Sequence, residues 1–260
     1  MSLTSFIQIE EVRRRFREEF EKPKMEATPE LVAPPHTDRP SHVGTAFDYL
    51  MRFTLSRVNR EVVRGREWVA EAALDLLSGS QRERALQTIE WAKSVRDAYV
   101  SSGETSDELY KAALNLARLD VAVRTKGKQD VSEFDPVKGG DVEDLRQLHQ
   151  NIPDAELESG KVCLLNPTFG KASALVGGAD ADLLVDDTLI EIKTLTDASL
   201  GRDTFNQLLG YYTLHVIDGI GELEAKPTIR RVGVYFSRHA YLHTIELDDA
   251  IERSTYPQFV

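Results

Sequence analysis

The sequence predicts an α/β protein in which helices occupy the first half and strands most of the second. Apolar residues recur at helical spacing through much of the first 150 residues. Short β-type runs bounded by turn residues begin near residue 162, with one helix among them. We therefore divide the chain into an N-terminal helix with a proline-rich connector (1–41), a helical region (42–152) and an α/β region (153–260).

The N-terminal half is expected to consist of helices joined by polar or proline-rich segments. Residues 4–22 have a charged amphipathic pattern that Thr4 could cap, and the five prolines of residues 23–41 indicate an extended connector. Residues 124–141 are polar and contain a Gly-Gly pair, which is typical of a loop. The remaining helical patterns lie at 44–77, 80–101, 105–123 and 142–151.

The second half is predicted to form a sheet with one long helix at 203–217. Residues 181–185 and 189–193 are β-type runs separated by Asp-Asp-Thr, so we expect a hairpin. The other predicted strands are 162–165, 231–236 and 241–247.

Composition restricts the class of function. The net charge of −11 argues against general coating of nucleic acid, because phosphate binding depends on Lys and Arg, so any such binding must be focused. No apolar run is long enough to cross a bilayer, and the N-terminus does not resemble a secretory signal. The single Cys163 suits a reducing compartment, and we expect a cytoplasmic protein without a membrane partner.

The most informative segment is the hairpin, because its strand alternation gathers charged residues on one face. Glu191 and Lys193 share a face, whereas Ile190 and Ile192 share the other. If Asp186 and Asp187 are the central turn residues, Val185 pairs with Thr188. That register places Asp182 opposite Glu191 and Asp180 opposite Lys193.

Opposed carboxylates destabilise a strand pair, so packing alone does not explain this arrangement. A divalent cation resolves the conflict, because Mg²⁺ binds carboxylate oxygens while retaining waters and substrate phosphates. The alternative interpretation is a surface hairpin with a Glu–Lys pair, which would contribute at most about 1 kcal/mol. Asp186 and Asp187 are interpreted as plain turn residues.

Asp182 followed by Glu191-Ile192-Lys193 resembles the PD-(D/E)XK nuclease superfamily, which has the restriction-endonuclease-like fold. Gln207 and Tyr211 resemble the Gln-x-x-x-Tyr element of its RecB-like branch, although both could be ordinary helix-face residues. The resemblance covers about residues 160–217. It implies a central mixed sheet flanked by helices, with a helical N-terminal region of which 44–66 packs on the nuclease sheet.

The resemblance also implies roles for individual residues. Asp182, Glu191 and the backbone carbonyl of Ile192 would bind Mg²⁺ or Mn²⁺, and Lys193 would orient the attacking water. Gln207 and Tyr211 would position the substrate strand or the lysine. Asp180 competes with Asp182 for the metal-binding role, and Asp48 is a weaker candidate for a further ligand.

Basic residues near the start of the helical region suggest a phosphate-binding track. Arg57, Arg60 and Arg64 would share one face of a helix, although a solvated helix face explains the pattern equally well. Neither zinc-ligand spacing nor a Walker-type phosphate loop occurs in the sequence.

The sequence therefore predicts an Mg²⁺- or Mn²⁺-dependent nuclease acting on DNA, with RNA as the less favoured substrate. It leaves open whether cleavage is endonucleolytic or exonucleolytic, and it leaves room for a protein partner or a homo-oligomer. Two alternatives remain: a catalytically silent nuclease-like subunit that binds nucleic acid or serves as a scaffold, and a helical interaction protein with an incidental acidic hairpin.

Overall fold

The computed structural model describes residues 2–60, 63–65, 68–125, 137–221, 223 and 225–260. The chain forms two compact units. Unit 1 comprises Met1–Glu30, Val62–Gly65 and Ser159–Val260, and unit 2 comprises Leu31–Glu61 and Arg66–Glu158.

Helices precede, separate and follow the strands along the chain. The α-helices are α1 (Leu3–Phe6), α2 (Glu10–Glu19), α3 (Pro40–Val58), α4 (Gly79–Ser102), α5 (Asp107–Arg124), α6 (Gly139–Gln150), α7 (Asp154–Leu157), α8 (Ala172–Leu175), α9 (Arg202–Asp218), α10 (Leu247–Ala250) and α11 (Tyr256–Phe259). Short 3₁₀ helices occupy Val69–Asp75 and Ser237–His239. Within the described ranges, no helix is both long and apolar enough to span a bilayer.

Unit 1 contains a six-stranded mixed sheet whose spatial order follows the chain. Its strands are β1 (Val63–Gly65), β2 (Cys163–Leu165), β3 (Leu183–Val185), β4 (Thr188–Lys193), β5 (Arg231–Phe236) and β6 (Tyr241–Glu246). The pairs β1–β2 and β4–β5 are parallel, and the other neighbouring pairs are antiparallel. The α/β class, the mixed sheet and the five predicted strands are confirmed.

The core of unit 1 lies between the sheet and α9. Leu189, Val232 and Val234 are buried on the face of the sheet that packs with Phe205 and Leu208 of α9. These apolar pairs hold α9 across β4 and β5. Because Glu191 and Lys193 share the face of Leu189, the helix also covers the charged part of β4.

The N-terminal helix is shorter and less continuous than its pattern predicts. It breaks into α1 and α2, and Ser2 rather than Thr4 caps its start by accepting a hydrogen bond from Ser5 N–H. Leu3 and Phe16 would lie about 140° apart on one straight helix. The break allows both to reach the same core.

The predicted continuous helical pattern over 44–77 is wrong in its second part. Helix α3 ends at Val58, and Val63–Gly65 forms an edge strand paired with β2. The buried side chain of Asn59 donates to the carbonyl of Leu157, which fixes the chain just after the helix ends. The packing of 44–66 on the sheet stays a prediction for its helical part.

Unit 2 is a bundle in which α3 packs on α5 with α4 and α6 beside them. A half-buried histidine of α6 takes part in this packing, and both ring nitrogens of His149 have hydroxyl partners. Nε2 lies 3.0 Å from the hydroxyl of Tyr99 and 3.1 Å from that of Thr54, and Nδ1 lies 3.3 Å from that of Tyr110. Burial lowers the pKa of His149 to about 4, so this imidazole remains neutral near pH 7.

Candidate active site

The β3–β4 hairpin has the predicted turn register, with Val185 paired to Thr188 and Leu183 to Ile190. Asp182 immediately precedes β3, and its Oδ2 accepts a hydrogen bond of 2.7 Å from the backbone N–H of Ile192. The carboxylate of Asp182 is thereby held beside the end of β4. The structure confirms the hairpin and brings Asp182 next to the Glu191-Ile192-Lys193 tripeptide.

The expected pairing of Asp180 with Lys193 is wrong. Asp180 bridges Thr168, and the N–H of Ala181 donates to the carbonyl of Pro167. Residues 180–182 therefore continue the pairing with the segment that follows β2 and do not extend the ladder with β4. Asp180 is exposed, although its charge still acts on Tyr211.

Four side chains form a closed ring of hydrogen bonds on the face covered by α9. Lys193 Nζ donates to Glu191 Oε1 at 2.7 Å and to Gln207 Oε1 at 3.5 Å. Gln207 Nε2 donates to the hydroxyl of Tyr211 at 2.8 Å, and that hydroxyl donates to Glu191 Oε2 at 3.3 Å. The strand alternation of β4 and the one-turn spacing of Gln207 and Tyr211 on α9 produce this arrangement.

Glu191 is the residue of the site whose carboxyl pKa is affected most directly by burial and by a neighbouring negative charge. Glu191 is only 6% exposed. Burial, followed by the negative charge of Asp182, raises the pKa of Glu191 to about 7, although Lys193 and Tyr211 favour its ionised form. Burial and then the charge of Glu191 raise the pKa of Tyr211, so its hydroxyl remains a donor. The site thus holds a carboxyl group that can gain or lose a proton near neutral pH.

Phe169 supports the ring of hydrogen bonds through Tyr211, and the sequence did not predict this role. Its ring stacks on Tyr211 with the centroids 5.4 Å apart and the planes 16° from parallel. Phe169 lies outside the helices and strands, between β2 and α8, so no periodic pattern pointed to it. The stacking restricts the ring of Tyr211 and therefore the direction of its hydroxyl.

The two turn aspartates do more than form a turn. Asp186 has a positive φ of 51°, and its carboxylate accepts hydrogen bonds from the hydroxyl of Ser159 and from three N–H groups of residues 160–162. Partial burial alone would raise the pKa of Asp186, but these hydrogen bonds outweigh it and hold the pKa below its ordinary value. Asp187 forms an ion pair of 2.6 Å with Arg231.

The donor atoms at this site are oxygens, as Mg²⁺ and Mn²⁺ prefer. Asp182 and Glu191 supply two carboxylates whose repulsion a cation would relieve, and the carbonyl of Ile192 lies in the same tripeptide. Among the described residues, no three His, Cys, Asp or Glu side chains gather as a metal-binding group. One or two carboxylates are the usual protein contribution to a magnesium site, so the residues present fit such an ion.

The three arginines of the predicted phosphate track do not lie on one face of a helix. Arg57 lies on α3 and binds Asp154 and the hydroxyl of Tyr99, whereas Arg60 follows the helix and donates to the carbonyl of Ser101 at 3.2 Å. Arg64 lies on β1. The expectation of one helical track is wrong, because α3 ends before two of the three arginines. Asp48 is half-buried on α3, and its role as a metal ligand stays a prediction.

No family model, curated protein or solved structure matches this chain significantly.

Proposed function

We propose that the chain is an Mg²⁺- or Mn²⁺-dependent nuclease of the PD-(D/E)XK type that hydrolyses phosphodiester bonds, in DNA in preference to RNA. The observation that carries this proposal is the convergence of Asp182, Glu191 and Lys193 on one face at the end of β4. The ring completed by Gln207 and Tyr211 supports it, because the same residues carry the sequence resemblance.

A structural salt bridge explains the site less well. Glu191 and Lys193 alone could form an ordinary ion pair, but Asp182 then adds a second negative charge next to a buried carboxyl group. Such an arrangement costs stability, since burial and a like charge both oppose ionisation. Ionisable groups whose pKa values are shifted in this way are typical of catalytic and metal-binding sites.

Each residue has a distinct chemical task under this proposal. When bound, Mg²⁺ or Mn²⁺ supplies a water of lowered pKa and neutralises charge on the phosphate. Asp182 and Glu191 hold the ion, and Glu191 must be ionised to do so. Lys193 directs its ammonium toward the attacking water and the phosphate oxygens, while Gln207 and Tyr211 hold Lys193 and Glu191 in place.

The test is incubation of linear and circular DNA with the purified chain, with EDTA, Mg²⁺ or Mn²⁺. We expect metal-dependent cleavage by the wild type and loss of cleavage in Asp182→Asn, Glu191→Gln and Lys193→Ala. Glu246→Gln serves as the matched control, because Glu246 is exposed on β6 and its row in the sheet, through Arg231 and Thr188, lies at the other end of β4 from Lys193. Cleavage that persists in Lys193→Ala, or is absent from the wild type with every metal, would contradict the proposal.

Isothermal calorimetry with Mn²⁺ separates the two tasks of the site. Lys193→Ala keeps both carboxylates and should still bind the ion, whereas Asp182→Asn and Glu191→Gln should not. Metal and DNA binding by a wild type that never cleaves would favour the alternative of a catalytically silent subunit.

A further inference from the structure

Four basic side chains gather where the segment after α2 lies beside the start of α9. Two hydrogen bonds join these segments: Lys22 Nζ donates to the carbonyl of Leu200 at 2.9 Å, and Arg202 donates to that of Phe20 at 2.9 Å. We define the basic cluster as Arg17 of α2, Lys22, Arg202 of α9 and His243 of β6.

The basic cluster has no acidic partner in the part of the chain that the structure describes. None of its members forms an ion pair, and two carboxylates close in sequence pair with other arginines: Asp203 with Arg13 and Glu18 with Arg14. The cations instead oppose each other. Burial and then the charge of Arg17 lower the pKa of Arg202.

His243 shows the same deficit of negative charge. Burial and then the charge of Lys22 lower the pKa of His243. Its Nε2 is buried without a hydrogen-bond partner among the described residues, which is unusual for a buried polar atom. An anion beside this place would supply a counter-charge for the cations.

The sheet register relates the basic cluster to the candidate active site. Glu191 pairs with Val234, and Val234 pairs with His243, so Glu191 and His243 lie in one row on the same face. Two strand spacings separate them, which is about 10 Å. Along α9, Arg202 precedes Gln207 by five residues, or about 7.5 Å.

We propose that the basic cluster binds backbone phosphates of the nucleic-acid strand that the candidate active site cleaves. This inference rests on the proposed function for the identity of the anion. A separation of about 10 Å is short enough for one nucleic-acid strand to reach both places. A strand with its scissile phosphate at Lys193 would therefore place a second phosphate at Lys22 and His243. The protein has a net charge of −11, so a polyanion has to bind at a local basic surface of this kind.

Binding of fluorescently labelled duplex DNA tests the basic cluster directly. Anisotropy is measured in EDTA, where cleavage is absent, over a series of NaCl concentrations. The double variant Arg17→Gln/Lys22→Gln should bind more weakly, and its slope of log K against log salt should be flatter by about 2, since each lost phosphate contact removes about 0.9. Arg202 is left intact because it packs on the ring of Phe205.

Two further variants give the experiment its controls. Arg15→Gln/Arg253→Gln removes the same charge from exposed positions outside the basic cluster, where Arg15 borders an apolar cavity and Arg253 pairs with Asp248. It should keep the wild-type slope. Arg17→Lys/Lys22→Arg keeps the charge and should restore the slope, which excludes misfolding as the cause of the loss.

The outcomes separate this inference from the proposed function. Equal slopes for the basic-cluster variant and its control would overturn the inference, even if the wild type cleaves DNA with Mn²⁺. Binding that depends on the basic cluster, combined with no cleavage under any metal, would overturn the proposed function and leave the phosphate-binding surface supported.

Discussion

At the scale of single residues, Glu191 determines what the site can do. Its carboxyl group is buried, faces the charge of Asp182, and is held by hydrogen bonds from Lys193 and Tyr211. The first two features favour the protonated form and the last two favour the ionised form. Under the proposed function, a proton and a divalent cation would therefore compete for the same oxygens near neutral pH.

The metal-free protein should become less stable as the pH rises, because Glu191 then loses the proton that its folded environment favours. The pKa is near 7 in the folded state against an ordinary value of 4.5, so the folded state binds the extra proton between these values. The free energy of unfolding should fall over that interval by a few kcal/mol, since one pKa unit corresponds to about 1.4 kcal/mol. Urea unfolding in EDTA at several pH values measures this fall.

Glu191→Gln should remove most of that pH dependence and unfold at higher urea than the wild type above pH 7. The exposed Glu246 of β6 provides the control, and Glu246→Gln should behave as the wild type does. A wild-type stability that stays constant between pH 4.5 and 7 would show that Glu191 is ionised throughout.

Tyr211→Phe tests the ring of hydrogen bonds, because it removes the hydroxyl and keeps the stacking on Phe169. Ionised Glu191 loses a donor, so the pH midpoint of Mn²⁺ binding should move upward. Cleavage should fall by about tenfold, as for a lost hydrogen bond to a charged group. Tyr212→Phe is the matched control, since Tyr212 stacks on Tyr256 outside the site. Equal midpoints in the two variants would contradict a role for the Tyr211 hydroxyl.

At the scale of structural elements, the β3–β4 hairpin is held by its turn as well as by its ladder. Asp186 combines a left-handed backbone with a carboxylate that binds the chain before β2. We expect Asp186→Ala to lower the free energy of unfolding by about 3 kcal/mol, since it loses several hydrogen bonds and strains the backbone. Asp187→Ala, which loses the half-exposed pair with Arg231 and a hydrogen bond from the Thr188 hydroxyl, should cost about 1 kcal/mol. Urea unfolding compares the two, and similar losses would contradict an anchoring role for Asp186.

Elements with a long or repeated pattern could be predicted from the sequence, and elements fixed by distant contacts could not. The hairpin and α9 have clear periodicity, and the spacing of Gln207 and Tyr211 places both on one helical face. Strand β1 is three residues long and exists through its pairing with β2, so it left no pattern. The stacking of Phe169 on Tyr211 depends in the same way on a fold that brings distant residues together.

At the scale of the whole molecule, a net charge of −11 affects both proposed ligands in opposite ways. It repels a polyanion everywhere except at local basic surfaces, and it attracts divalent cations to many weak sites. Nonspecific attraction of this kind stabilises an acidic protein by screening. Any measurement of metal binding must therefore separate one specific ion from the general effect of ionic strength.

Stabilisation by Mn²⁺ makes that separation, because an ion that binds only the folded state raises the free energy of unfolding by about 2.7 kcal/mol at one hundred times its dissociation constant. We expect thermal unfolding at pH 8 to shift upward with Mn²⁺ in the wild type and in Lys193→Ala, which keeps both carboxylates. Asp182→Asn and Glu191→Gln should show only the smaller shift that NaCl of equal ionic strength produces. Equal shifts in all four proteins would mean that Mn²⁺ acts through general screening and that the two carboxylates do not share an ion.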